Sequence, residues 1–117
     1  MNTTSVRIKF RESTVDGKEG TLYYQVIHDR MVRQIGTDYH LRSGEWQEDE
    51  GNIVIGKGNT NERKEYLREL AERIRSDRLR FARIVSELDN NGIGYTTDDV
   101  VVKYNELPSR QSFQVYM

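Results

Sequence analysis

The sequence contains no cysteine, a single proline and no long hydrophobic run. The absence of cysteine excludes disulfide frameworks, thiol catalysis and cysteine-based zinc sites, and it is compatible with a reducing cytoplasm. No apolar run approaches the roughly 18 residues that a membrane span needs, and residues 1–10 lack the hydrophobic core of a signal peptide. We therefore expect a cytoplasmic protein with no membrane partner.

An excess of charge of one sign is also lacking. The chain has 18 Lys and Arg against 19 Asp and Glu, a formal net charge of −1. Nonspecific affinity for duplex DNA comes mainly from Lys and Arg that displace counterions from phosphates, so this balance counts against a simple nucleic-acid binder. A DNA-binding surface would have to arise from the way in which the fold sorts charges between its faces.

Catalytic and cofactor motifs are missing as well. His28 and His40 have no partner at metal-ligand spacing, and they fit hairpin or surface positions better than catalytic ones. Gly56-Lys57-Gly58 does not match a phosphate-binding loop, and no nucleophile elbow is present. A chain of 117 residues is about one small domain. We expect no enzymatic activity, cofactor, metal or small-molecule substrate.

Three segments near the start have the patterns of β-strands. Residues 6–10 alternate apolar and basic side chains, which is the period of a strand with one buried and one solvated face. Residues 21–28 are rich in aromatic and β-branched residues. A polar break at Asp29-Arg30 joins them to residues 32–37 through a tight hairpin. Three sequential strands with short turns predict an antiparallel meander.

The alternating pattern is lost between Tyr39 and Gly58, and glycines and an acidic patch at 48–50 indicate an irregular loop. The main apolar residue of this loop is Trp46, which we expect to pack into the core under the sheet because a lone Trp usually buries its large surface. A short strand at 53–55 is a further expectation.

A long amphipathic helix is predicted from Asn61 to Asp89, a segment without Gly or Pro. Its apolar positions recur every seven residues at Leu67, Ile74, Phe81 and Leu88. Asn59 or Thr60 can cap its start. Asp77 interrupts the apolar seam, which favours packing on the chain's own sheet and on a following helix over a coiled coil.

A second helix is predicted from about Thr97 to Leu107, before Pro108. Thr96 and Asp99 have the spacing of a capping box at its start. The sequence therefore predicts an α+β fold, a three-stranded antiparallel sheet followed by a long helix and a shorter second helix. We divide the chain into a sheet with its loop (1–58), a helical part that completes the module (59–108), and a linker with the start of a further domain (109–117).

The outer face of the predicted sheet carries the candidate functional side chains. Alternation places basic, amide and tyrosine side chains opposite the core, and the hairpin register decides between two further residues. The set is Arg7, Lys9, Arg11, Tyr23, Gln25 and either Gln34 or Arg33. In a sheet that enters the major groove, Arg and Lys suit phosphates or guanine, and Gln suits adenine. A solvated face whose charges prevent edge aggregation explains the same pattern.

Several segments occur together in a fixed order. VRIKFR (6–11), GTLYYQVIHDR (20–30) and VRQIGTDY (32–39) precede a Leu-x-x-x-x-Trp at 41–46, the long helix and YTTDDVV (95–101). In this order and spacing they resemble the amino-terminal region of tyrosine recombinases from Bacteroides phages and conjugative elements. The similarity covers nearly the whole chain.

The resemblance implies a non-catalytic, arm-type DNA-binding module of an integrase, whose sheet docks in the major groove at sites that flank the crossover. Double-stranded DNA is then the expected partner, with other recombinase subunits as a second candidate. The resemblance also implies that Phe113 begins a helical core-binding domain and that a catalytic domain follows. No part of this chain matches the catalytic motifs, and Tyr116 does not correspond to the nucleophile.

Two alternatives stay open. In the first, the chain is a protein-interaction module whose long helix pairs with another recombinase subunit, and the sheet never meets DNA. In the second, it is a free-standing transcription regulator that uses the same sheet.

Overall fold

The structure, a computed structural model, describes residues 4–106. They form a three-stranded antiparallel sheet followed by a long and a shorter helix, so the predicted α+β fold is confirmed. The elements are β1 (Thr4–Arg11), β2 (Gly20–His28), β3 (Met31–Leu41), a small hairpin of β4 (Trp46–Gln47) and β5 (Asn52–Ile53), α1 (Asn61–Asn90) and α2 (Thr97–Glu106). The expected linker and the domain start at Phe113 lie outside the described residues.

The alternation in β1 and β2 forms the sheet side of the core. Val6 pairs with Val26 and Ile8 with Tyr24, and Ile8, Tyr24 and Val26 are buried. Gly20 begins β2 where it closes on β1. A Cβ there would lie 2.4 Å from the Arg11 carbonyl oxygen, so only glycine allows the two strands to meet at this point.

The predicted hairpin between β2 and β3 turns on Asp29 and Arg30, with φ values of 51° and 68°. Positive φ at both central residues is the requirement of a two-residue type I′ turn, whose twist matches that of the flanking strands. The turn sets the register, in which Gln25 pairs with Gln34 and Val26 with Arg33.

Strand β3 runs on to Leu41, beyond the predicted end at Thr37. A bulge between Thr21 and Tyr23 breaks the register, and the Thr37 hydroxyl donates to the Leu22 carbonyl oxygen at 2.7 Å. After the bulge, β3 returns to the core, where Leu41 is fully buried. The irregular pairing explains why simple alternation underestimates the length of β3.

Trp46 packs against the core, as predicted, but it lies at the edge and is only partly buried. The ring is half-buried at the side of the core, where Trp46 pairs with Ile53 in the β4–β5 hairpin. Its indole N–H donates to the Glu48 carboxylate at 2.9 Å. Trp46 therefore covers the edge of the core, and the strand expected at 53–55 is only Asn52–Ile53.

Helix α1 follows its predicted bounds closely. The Thr60 hydroxyl caps its start by accepting from the Arg63 N–H at 3.1 Å, which satisfies one of the free donors of the first turn. The residues that it buries are spaced three and four apart, at Leu67, Leu70, Ile74, Asp77, Phe81, Ile84 and Leu88. As predicted, this stripe packs on the chain's own sheet and on α2.

The capping box of α2 is also confirmed. The Thr96 N–H donates to the Asp99 carboxylate at 2.9 Å, and the Asp99 N–H donates to the Thr96 hydroxyl at 3.3 Å. Val100 is fully buried, and the Tyr104 ring stacks on Phe81 with centroids 4.2 Å apart. These contacts fix α2 against the second half of α1.

Asp77 is a carboxylate inside the apolar seam, and its partners are tyrosines from the sheet. The hydroxyls of Tyr24 and Tyr39 donate to the same oxygen, Oδ2, at 2.9 and 2.6 Å. Burial and then the nearby Asp77 carboxylate raise the pKa of both tyrosines, and the same causes raise the pKa of Tyr104 to about 12. The seam therefore binds the helix to β2 and β3 through polar contacts as well as apolar ones.

A second polar junction ties the start of α1 to the loops. Arg63 donates to both carboxylate oxygens of Glu45, at 2.9 and 2.6 Å, and lies 2.7 Å from Glu19. Burial raises the pKa of Glu45, but hydrogen bonds from Arg63 and from the Arg42 N–H hold it below its ordinary value.

The lowered pKa of Glu45 predicts a contribution to acid unfolding. Its stabilising effect is complete above the pKa of the unfolded chain and is lost over the acidic range in which pH falls below that value and through the lower pKa of the folded state. In Glu45→Gln we expect a lower stability at neutral pH and a smaller further loss over this range, measured by urea unfolding at several pH values. Glu69→Gln, at an exposed position of α1, should keep the wild-type pH profile; equal profiles for all three proteins would contradict the prediction.

Candidate nucleic-acid interface

The sheet has one open face, because α1 and α2 pack on the other. On the open face the paired residues form rows across the strands. The rows, from the β2–β3 hairpin downward, are Ser5–Ile27–Val32, Arg7–Gln25–Gln34, Lys9–Tyr23–Gly36 and Arg11–Thr21–His40. None of these paired positions is acidic, but the exposed Asp38 of β3 lies between Gly36 and His40 on the same side of the strand. The strand alternation thus gathers three cations on one side of a chain whose total charge is almost balanced.

The three basic side chains of β1 are in different environments. Arg7 is exposed and forms no ion pair within residues 4–106. The Arg11 guanidinium lies 4.5 Å from the centre of the Tyr23 ring and donates to the side-chain amide oxygen Oε1 of Gln34 at 3.3 Å. Arg11, Tyr23 and Gln34 therefore form a preorganised group that crosses all three strands.

Lys9 is partly neutralised by an acidic turn. Its ammonium lies 3.4 Å from the Glu48 carboxylate, in the turn between β4 and β5 that also contains Asp49 and Glu50. Arg78 holds this turn beside β1 by donating to the Gly51 carbonyl oxygen at 3.0 Å. The negative charge at the β1 edge makes the β2–β3 side the more favourable approach for a polyanion.

The register settles the choice between Arg33 and Gln34. Gln34 pairs with Gln25 on the open face, whereas Arg33 pairs with the buried Val26 on the opposite face. There the Arg33 guanidinium forms an ion pair with Asp98 in the first turn of α2. Arg33 is therefore removed from the candidate interface, because a two-residue turn gives it the parity of the core-facing positions.

Six residues of the rows on the open face were not among the predicted site residues, and besides Ser5, Thr21 and His40 they include three without polar side chains. Ile27 and Val32 pair with each other at the hairpin end, and Val32 is 47% exposed. Gly36 lies opposite Tyr23, and a Cβ added there would meet no atom within 4 Å. The alternation that assigns Tyr23 and Gln25 to the open face also assigns Ile27 to it. The sequence therefore indicated the position of Ile27, but its apolar side chain did not fit the basic and polar set that was predicted.

The two histidines lie in different settings. His40 is exposed, and its Nδ1 is 3.2 Å from the Thr21 hydroxyl. His28, expected at a hairpin or surface position, ends β2 but is buried. Its ring stacks on Tyr95 with centroids 4.3 Å apart, and its Nδ1 is 2.7 Å from the Thr4 hydroxyl. These contacts join the end of the sheet to the segment before α2, and they give His28 a structural role.

Residues 4–106 contain neither a cluster of metal ligands nor a helix suited to a membrane span. No group of three or more His, Asp or Glu in this part of the chain is placed to hold a metal ion. None of the helices described there is both long enough and apolar enough to cross a membrane.

Comparison with known proteins adds no relative. No protein-family model, curated protein or solved structure matches the chain.

Proposed function

We propose that this chain is a non-catalytic DNA-binding module, acting in the cytoplasm, that places the open face of its sheet in the major groove of duplex DNA. Following the resemblance of its sequence segments, we further propose that it serves as the arm-binding part of a site-specific tyrosine recombinase of a mobile element. The observation that carries the first proposal is the row of the exposed Arg7 and Gln34 with the partly buried Gln25, beside Lys9, Arg11 and Tyr23 on one face.

The chemistry of this face suits DNA. Arginine and lysine bind phosphates and guanine, glutamine can form two hydrogen bonds with adenine, and a tyrosine hydroxyl binds phosphate. A sheet can enter the major groove, which is wide enough for an α-helix or a two-stranded ribbon. Three cations on the face and an acidic turn at its edge predict moderate affinity. Modules of one recombinase that bind together would gain from a high effective concentration.

The alternative of dimerisation through α1 is less favoured by the packing. The seven-residue seam that would pair with a partner helix is buried against the sheet and α2 of the same chain. Of the large apolar side chains of α1, Leu79 is strongly exposed, and one such residue does not make a coiled-coil seam.

Arg7→Glu tests the proposal at the cation of the open face that is exposed and forms no ion pair within residues 4–106. We expect about tenfold weaker binding to a fluorescein-labelled mixed-sequence duplex at low salt, because a phosphate contact is lost and a repulsive charge is introduced. The slope of log affinity against log salt concentration should fall by about 0.9, the contribution of one phosphate. Fluorescence anisotropy over a salt series measures both quantities.

Arg68→Glu is the matched control. Arg68 is an exposed residue of α1, on the far side of the core from the open face, and its nearest acidic partner is Glu65 at 3.9 Å. The substitution changes the net charge equally, so it should weaken binding much less. Equal losses in the two variants would refute an interface on the sheet, and absence of any binding by the wild-type chain at low salt would refute DNA binding itself.

A further inference from the structure

The open face of the sheet has two chemically different ends. Lys9, Arg11 and Tyr23 make one end polar and basic, whereas Ile27 and Val32 make the hairpin end apolar. The middle is the row of Arg7, Gln25 and Gln34. An apolar end is unexpected on a face that only needs to attract phosphates.

Folding does not account for the apolar end. Ile27 and Val32 are outside the hydrophobic core and outside the set of half-buried residues that pack against it. Their mutual contact across the two strands can add a few tenths of a kcal/mol to the hairpin, but it leaves about half of Val32 exposed. The pair is therefore available to a ligand that brings an apolar group to the same face.

In the major groove, the thymine 5-methyl is the apolar group that a base pair presents, and it belongs to the pair whose adenine offers N6 and N7 to glutamine. Gln25 makes no side-chain hydrogen bond within residues 4–106, so its amide is free for such a contact. The glutamine row and the apolar row are two residues apart along each strand, about 7 Å. This distance is about the rise of two base pairs, so both rows fit a short A·T tract.

We propose that Ile27 and Val32 bind thymine methyl groups in the major groove, and that the module thereby prefers A·T tracts that carry these methyls. The proposal rests on the DNA-binding function proposed above and names the base chemistry that the same face recognises.

Removal of the methyl groups alone provides the test. Alternating poly(dA-dT) and poly(dA-dU) duplexes have the same charge and the same pairing and differ in composition only by the thymine methyl. We expect poly(dA-dT) to compete against the labelled mixed-sequence duplex about tenfold better, as burial of two methyl groups would give. In a variant with both Ile27→Ala and Val32→Ala, the two polymers should compete equally.

Val102→Ala is the control for the loss of an exposed valine, because Val102 is 52% exposed on α2. It should keep the preference of the wild type, and circular dichroism melting establishes that each variant is folded. Equal competition by both polymers with the wild-type chain overturns the proposal while leaving DNA binding intact. The same holds if the double variant keeps the full preference for thymine. Failure of the wild-type chain to bind any duplex at low salt overturns the proposed function instead.

Discussion

Gly36→Glu is expected to weaken duplex binding about a hundredfold without lowering the stability of the fold. Gly36 lies in the middle of the open face, opposite Tyr23, and a side chain there would meet no protein atom within 4 Å. The substitution therefore removes no contact, and a strand gains from replacement of a glycine. A carboxylate placed against phosphates costs several kcal/mol, and about 3 kcal/mol corresponds to the expected factor.

Three further variants distinguish the effect of the charge on binding from the effects of side-chain size and of position. Gly36→Gln introduces a side chain of the same size without charge, so it should fall between the wild type and Gly36→Glu. Gly36→Lys should strengthen binding several-fold. Gly58→Glu places the same charge in the loop before α1, where a Cβ also meets nothing within 4 Å, and should have little effect. If anisotropy gives Gly36→Glu the affinity of the wild type, the open face is not the interface.

Asp77→Ala is expected to destabilise the fold by about 3 kcal/mol. Asp77 accepts from the hydroxyls of both Tyr24 and Tyr39, and Tyr24 is almost completely buried. Removal of the carboxylate leaves two hydroxyls without their acceptor, and each buried unsatisfied donor costs about 1–3 kcal/mol. Urea unfolding followed by circular dichroism measures the change, and Glu72→Ala on the exposed face of α1 should stay within about 0.5 kcal/mol of the wild type.

A double-mutant cycle with Tyr24→Phe identifies the cause. In the wild-type background, Tyr24→Phe should cost about 1 kcal/mol because one hydrogen bond to Asp77 is lost. In the Asp77→Ala background it should cost nothing or recover stability, since the hydroxyl then has no acceptor. The coupling expected for residues in contact is about 1–2 kcal/mol. Additive effects would show that the loss comes from packing around position 77 and not from the hydrogen bonds.

The sequence predicted the consequence of Asp77 for the packing of α1, but it did not predict the hydrogen-bond partners of Asp77. The carboxylate in the apolar seam correctly indicated that α1 does not form a coiled coil, because a charged group in such a seam needs polar partners. Its actual partners are tyrosines 53 and 38 residues away in the chain. Their identity depends on how the helix lies across the sheet, and no local pattern encodes that.

The main strands and helices, and the common face of the basic side chains of β1, followed from the sequence alone. Periods of two and of 3.6 residues distinguish strands from helices, and Thr60, Thr96 and Asp99 mark helix starts through hydrogen bonds between neighbours. Because side chains alternate along a strand, the common face of Arg7, Lys9 and Arg11 was fixed as soon as β1 was recognised.

Only the tertiary structure decided the register and the surroundings of that face. The two-residue turn at Asp29-Arg30 assigns Gln34 to the open side and gives Arg33 to Asp98, a one-residue choice that reverses the face of every side chain in β3. The pairing of Lys9 with Glu48 and the partly buried position of Trp46 at the edge of the core depend on where the loop of residues 42–60 lies. That placement results from contacts between residues far apart in the chain, such as Arg78 with Gly51, which local periodicity cannot specify.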